Sequence, residues 1–218
     1  MSQQYQIMQY VLQWSPSFCQ ISNCENGVSQ KFSIHGLWPA YGNGHSIHCK
    51  CSNITEENEK VKGVMKSNSN LKNLFRIIWP NLKDSGPSYD WLWKHEWENH
   101  GCCIGPSLTT TQYFEAAEKI HQNFFVLNGI SINLTNYLVQ GGVQPSNSVL
   151  YSGAKIRGAL SRLAGNNIDI YLSCYRKNNN ILFKEVHFCF DTKITRFISC
   201  PLLQNGLLCN SNVILPTF

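Results

Sequence analysis

The chain has 218 residues, 43% of them hydrophobic and 14% charged, with a formal net charge of +5. This supplies one domain with a full core and excludes a disordered chain. No apolar run approaches the roughly 20 residues that a membrane-spanning helix needs. The basic excess suits an anionic partner such as RNA, although charge also serves solubility.

Residues 5–14 alternate like a strand, and the start lacks the basic stretch and cleavage site of a signal peptide, so it reads as a mature start. Residues 31–38 form a second strand. The stretch 40–55, rich in Gly, Asn, His and Cys, reads as a loop. Helical periodicity runs through 56–79, is interrupted by SNSN at 67–70, and is stopped by Pro80. Residues 91–101 form the next helix, followed by an amphipathic helix over 109–127 with Tyr113, Phe114, Ala117, Ile120 and Phe124 inward. A short helix starts near Asn133 and is capped by Gly141-Gly142. Residues 148–163 read as a further helix. Strands follow at 168–174 and 181–190, with NNN at 178–180 as their turn, and the last 30 residues read as loops tied by cysteines. The order predicts a single α+β domain over 1–218, helices clustered against an antiparallel, disulfide-stapled sheet.

Ten cysteines is a high and even count for this length, which favours disulfides and an oxidising compartment. Two N-glycosylation acceptors agree with secretion: Asn53-Ile54-Thr55 and Asn133-Leu134-Thr135. Cys19 and Cys24 enclose a short loop and are expected to pair locally. Cys49-Lys50-Cys51 and Cys102-Cys103 read either as a zinc cluster or as disulfides. Adjacent cysteines chelate poorly, which favours the second reading.

Two segments concentrate proton-handling groups: FSIHGLWP at 32–39 and WKHEWENHGCC at 93–103. They contribute His35, His95, Glu96 and His100. Histidine, with an ordinary pKa of about 6.5, both gives and takes protons near neutrality. Two histidines converging on one phosphate cleave RNA without a metal: one takes the ribose 2′-hydroxyl proton and the other protonates the departing 5′-oxygen. On a helix advancing roughly 100° per residue, His95, Asn99, Glu96 and His100 share one broad face. In the first segment, Phe32 and Ile34 alternate with Ser33 and His35, placing His35 opposite the apolar pair just before Gly36 ends the strand. Unrelated surface and core histidines give the same pattern. A zinc-protease helix does not fit, because its histidines stand four apart and these stand five apart. His45, His48, His121 and His187 read as surface or loop groups.

FSIHGLWP and HEWENHGCC resemble the paired active-site signatures of the ribonuclease T2 family, F-T-I-H-G-L-W-P and H-E-W-x-K-H-G-T-C. VLQWSPSFC near the start, IIWPN at 77–81 and the late cysteine spacing extend the resemblance over nearly the whole chain. The resemblance implies an α+β fold and cofactor-free, metal-independent cleavage of single-stranded RNA through a 2′,3′-cyclic phosphate. It implies His100 as general base and His35 as general acid. His95 and Glu96 take the positions that hold the phosphate and stabilise its pentacoordinate state. Base pockets map to Gln13, Asn81 and Leu92. Trp38 either stacks on a base or packs, and packing is favoured. The family spacing implies disulfides Cys189–Cys200 and Cys174–Cys209. It ties Cys103 to Cys49 or Cys51, with Cys49 favoured, which leaves Cys51 for Cys102.

Two departures stand out. Asn99 replaces the family lysine, removing a positive charge beside the phosphate, a kind of contribution worth several kcal/mol. Cys102 replaces the threonine after H-G. The basic charge, the sequons and the polar stretches at 41–59 and 66–73 resemble the plant self-incompatibility branch. That branch implies pollen F-box proteins as partners, a monomer and an extracellular location. The alternatives are a defence or housekeeping ribonuclease, or a silenced member that binds RNA or protein without cutting.

Overall fold

The computed structural model describes residues 5–83, 90–104, 108–165, 167–201 and 209–218. Strand β1 (Ile7–Trp14) is buried along its whole length. Its even residues Met8, Tyr10, Leu12 and Trp14 enter the main apolar core, and its odd residues face the other side of the sheet, as the two-residue period requires. A one-turn helix α1 (Ser15–Cys19) follows, and then β2 (Phe32–Ala40) pairs antiparallel with β1.

The two helices over 56–79 are separate. α2 (Ile54–Ser67) is capped by Asn53, and α3 (Ser69–Ile78) by Asn68, whose side chain accepts the Leu71 N–H. Asn68 also closes α2 through its own N–H to the Val64 carbonyl, so one residue ends a helix and starts the next. α4 (Asp90–Glu96) runs into a π-helical turn, Trp97–Gly101. α5 (Thr110–Phe124) opens with a reciprocal capping box between Thr109 and Gln112. A small hairpin, β3 (Val126–Leu127) and β4 (Ile130–Ser131), then leads to α6 (Leu134–Gln140).

The expected helix over 148–163 begins later, because Leu150–Ser152 forms a strand, β5, and the Ser152 side chain caps α7 (Gly153–Ser161). β6 (Tyr171–Lys177) and β7 (Asn180–Phe190) form the long hairpin. The C-terminal stretch is not all loop: β8 (Phe197–Ile198) and β9 (Asn212–Ile214) both join the sheet, while 202–208 lies outside the described residues.

β7 is the centre of this seven-stranded sheet. One edge takes β1 and then β9; the other takes β6 and then β8. The pairings are antiparallel except β7 with β9, which meet in parallel at Leu182 and Ile214, so the sheet is mixed. α5 and the α2–α3 pair cover its apolar face, where Trp79, Trp93, Phe75, Tyr113 and Phe114 are fully buried.

Two irregularities shape the sheet. Val11 pairs with Gly36 and Leu12 with Ile34, so His35 is an extra residue in β2. Ser173 pairs with Glu185 and Cys174 with Phe183, so Lys184 is an extra residue in β7. A bulge re-aims side chains and shifts the alternation by one. β2 therefore does not end at Gly36. Beyond the bulge Leu37 enters the core and Trp38 joins the opposite face. The bulge is pinned from below: the Trp79 indole donates to the His35 carbonyl at 2.8 Å and the Tyr113 hydroxyl to that of Leu37 at 2.7 Å.

Five disulfides staple the frame: Cys19–Cys24, Cys49–Cys103, Cys51–Cys102, Cys174–Cys209 and Cys189–Cys200. The second and third are nested and hold the loop after β2 against the π turn. Closing one loop of this size is worth about 4 kcal/mol in the chain-entropy account. The inner bridge adds little to that, because the outer one has already closed the loop.

Gly36 lets β2 approach α4. A Cβ there would overlap the Glu96 carboxylate and the Trp38 indole nitrogen. Gly36→Ala is expected to lower stability by about 1–3 kcal/mol, the usual cost of overpacking, measured by thermal unfolding. An unchanged midpoint would mean that this contact relaxes without cost.

Candidate active site

The site lies on the face of the sheet opposite the helical core, where β2, β7, α4 and the π turn meet. His35, the extra residue of the bulge, lies on this face, with its side chain 23% exposed. Its Nδ1 lies 2.5 Å from Oε1 of Glu185 on β7, and its Nε2 lies 3.7 Å from Oε1 of Glu96. Both carboxylates are buried. Burial alone would lower the His35 pKa. The charge and hydrogen bond of Glu185, with the charge of Glu96, outweigh it and raise the pKa above its ordinary value.

Glu96, at the end of α4, accepts the Trp38 indole N–H at 2.7 Å on its other oxygen. Burial pushes its carboxyl up to about 7, against the pull of His35 and of that hydrogen bond. Trp38 stacks on His100, with ring centroids 4.9 Å apart and planes 25° apart. It also meets His35 edge-on at 5.1 Å. Trp38 thus packs between the two histidines.

His100 sits in the π turn and is 7% exposed. Its Nδ1 faces the Ile47 carbonyl at 3.2 Å, which leaves Nε2 as the free acceptor. Burial drives its pKa down to about 3, opposed by the Ile47 hydrogen bond and aided by the charges of His48, His35 and His95. The Ile47 carbonyl is held in place because Ile47 N–H bonds Pro39, Cys49 N–H bonds Asn99, and the nested disulfides clamp the loop.

His95 is exposed, stacks on Trp91 at 5.0 Å, and has a pKa lowered by burial and by the charge of His35. Asn99 folds onto it: the amide N–H donates to the His95 carbonyl at 2.7 Å and lies 3.3 Å from its Nδ1. The residue at the family lysine position thus orients a histidine. The angular spacing that an α-helix gives residues five apart does not apply between His95 and His100, because a π turn spans i to i+5, as in the Cys102 N–H to Trp97 carbonyl bond.

The remaining expected residues are placed as follows. Asn81 is buried and lines a cavity of about 250 Å³ with Ser33, Lys31 and Arg76. Gln13 is buried behind it, 3.5 Å from the Ser33 hydroxyl. Leu92 packs in the main core. Asn53 and Asn133 are exposed N-caps, each accepting a backbone N–H.

Two histidines read as surface or loop groups are in fact buried. His187 lies on β7, 3.3 Å from Gln9 and edge-on to Trp38 at 5.3 Å, and its burial brings it down to about 4. His121 is covered by the β4 segment and contacts the Ser131 hydroxyl. His48 is exposed, but its ring lies 5.2 Å from that of His100. Glu185 carries no motif, and its one sequence signal is a carboxylate beside Lys184 in a largely apolar strand.

Comparison with known proteins agrees with this geometry. The sequence profile of the Ribonuclease T2 family matches residues 5–200. Intracellular ribonuclease LX of Solanum lycopersicum is 30% identical over 225 residues, covering 100% of this chain and 86% of that protein. Ribonuclease S-2 of Pyrus pyrifolia is 28% identical over 203 residues, covering 90% and 82%. The crystal structure of RNase NT in complex with 5′-AMP superposes with a TM-score of 0.77 at 28% identity, covering 99% of this chain and 100% of that one. The chain belongs to the ribonuclease T2 family and is a metal-independent endoribonuclease.

Proposed function

We propose that this protein cleaves single-stranded RNA by transesterification to a 2′,3′-cyclic phosphate, with His100 as general base and His35 as general acid. The observation that carries the reading is the opposite tuning of two histidines that flank Trp38. Groups whose environments push their pKa values apart divide into acid and base. His100 is neutral at physiological pH, with its Nε2 free to take the ribose 2′-hydroxyl proton. The 2′-oxygen attacks phosphorus as His35 donates its Nε2 proton to the departing 5′-oxygen, and water later opens the cyclic phosphate with the roles reversed. Glu96 keeps its proton up to near neutrality, so it donates a hydrogen bond to a phosphate oxygen instead of repelling it. His95, held by Asn99, binds a second oxygen. Trp38 keeps the two histidines apart and in place. Asn81, with Gln13 behind Ser33, receives a base, and Leu92 backs the site from the core.

Asn99 supplies no charge where the family pattern has lysine. The intact split between His35 and His100 supports an active enzyme over a silenced binding protein. Five disulfides and two exposed sequons support secretion as a single-domain glycoprotein. The net charge and the S-type relatives support a pistil role with pollen F-box partners. Similarity to ribonuclease LX at 30% identity supports the alternative defence or housekeeping role.

Cleavage is expected to persist in excess chelator and to spare single-stranded DNA, which lacks the 2′-hydroxyl. Chelator-sensitive cleavage, or equal cutting of DNA, contradicts the mechanism. His35→Ala and His100→Ala are each expected to cost about 10²–10⁴-fold or more in kcat with the fold retained by circular dichroism. Near-normal turnover in either folded variant would remove that residue from its role.

A further inference from the structure

Glu185 is a buried charge that the reaction above leaves without a task. It stands in the middle of β7, in register between Gln13 of β1 and Ser173 of β6, and is 2% exposed. An ionised carboxylate in such a place is costly unless a cation and hydrogen bonds replace its lost water. Oε1 takes the His35 Nδ1–H at 2.5 Å, while Oε2 lies 3.4 Å from Lys184 Nζ and 3.9 Å from His187 Nε2. Glu185 therefore meets the ring nitrogen opposite the one that faces Glu96 and the substrate side. His35 reaches it across β1 because of the bulge in β2.

The charged and titratable groups around His35 come from two sides. β7 supplies Glu185, Lys184 and His187. α4 and the π turn supply Glu96, His95 and His100. Lys184 opposes a proton on His35, while Glu185 and Glu96 favour it. Glu96 itself titrates near neutrality, so its negative charge is incomplete in the working range. The Glu185 carboxyl is held well below the ordinary range: burial alone would raise it, and the charge and hydrogen bond of His35 outweigh that. Glu185 is the counter-charge present throughout.

We propose that Glu185 is the positioning residue of the general acid, fixing the His35 ring with a proton on Nδ1 and aiming its Nε2–H at the leaving 5′-oxygen. The proposal rests on the assignment of His35 as that acid. In the cleavage step the Nε2 proton passes to the 5′-oxygen and the ring becomes neutral. The Nδ1–H stays on Glu185, which neither gains nor loses a proton. This places Glu185 outside contact with the substrate, acting through His35 alone.

The test is Glu185→Gln in the full chain, with kcat and KM measured on RNA from pH 5 to pH 8. The amide keeps a hydrogen-bond acceptor for Nδ1 but removes the charge, so His35 loses its proton at lower pH. The expected result is a kcat within about twofold of the parent near pH 5 and about tenfold lower at pH 8, with KM unchanged. A loss equal at every pH, or none, overturns the proposal. A second measurement needs no variant. The ring-nitrogen shifts of His35 in the parent protein, taken above its titration, are expected to show the Nδ1–H tautomer; the Nε2–H tautomer overturns the proposal. His35→Ala separates the two failures. If that variant cleaves RNA at a near-normal rate, the acid assignment falls. If it does not, and Glu185→Gln stays parallel to the parent at all pH values, only the positioning role falls.

Discussion

His35 stands in β2 with no partner on β1, and the site is arranged around that one extra residue. Without the bulge, Trp38 would point into the helical core and Leu37 would occupy the face that carries His35 and Glu185, since a one-residue slip exchanges the two faces of a strand. The bulge is held by indole and phenol donors from below, Trp79 and Tyr113, which themselves belong to the aromatic core. The apolar core thus fixes the orientation of a polar site that lies on the other side of the sheet. Gly36, next to the bulge, gives Glu96 and Trp38 the room to meet.

Around His35 the protein buries two carboxylates and sets two further imidazoles, His100 and His187, in surroundings that keep them neutral. Such a cluster is costly to assemble unless every charge has a counterpart. Here the one raised imidazole is the one that touches both carboxylates, and the lowered ones are buried without a carboxylate hydrogen bond. Identical side chains shift in opposite directions because their neighbours differ. The nested disulfides enter the same arrangement: they hold the carbonyl of Ile47 on His100, which sets the tautomer of that ring.

The long periodic elements were legible in the sequence. β1, α5 and the β6–β7 hairpin follow from side-chain period and turn residues. The paired histidine segments mark residues that the fold brings to one face. Other features depend on tertiary contacts that no local pattern carries. β5, β8 and β9 are two or three residues long and exist because neighbouring strands leave open edges. Asn68 splits one helical pattern into two helices by capping. The π turn changes the geometry of 97–101 without changing its composition. Glu185 pairs with a residue 150 positions away, so the contact is visible only in the folded chain.

Two histidines of one site are held in opposite protonation states at neutral pH. The most direct measurement is a titration of the imidazole resonances by nuclear magnetic resonance, assigned through His35→Ala and His100→Ala. The His35 resonance is expected to titrate above the ordinary histidine value of about 6.5, while that of His100 stays in its neutral form down to strongly acidic pH. Two resonances titrating together near that ordinary value would contradict it.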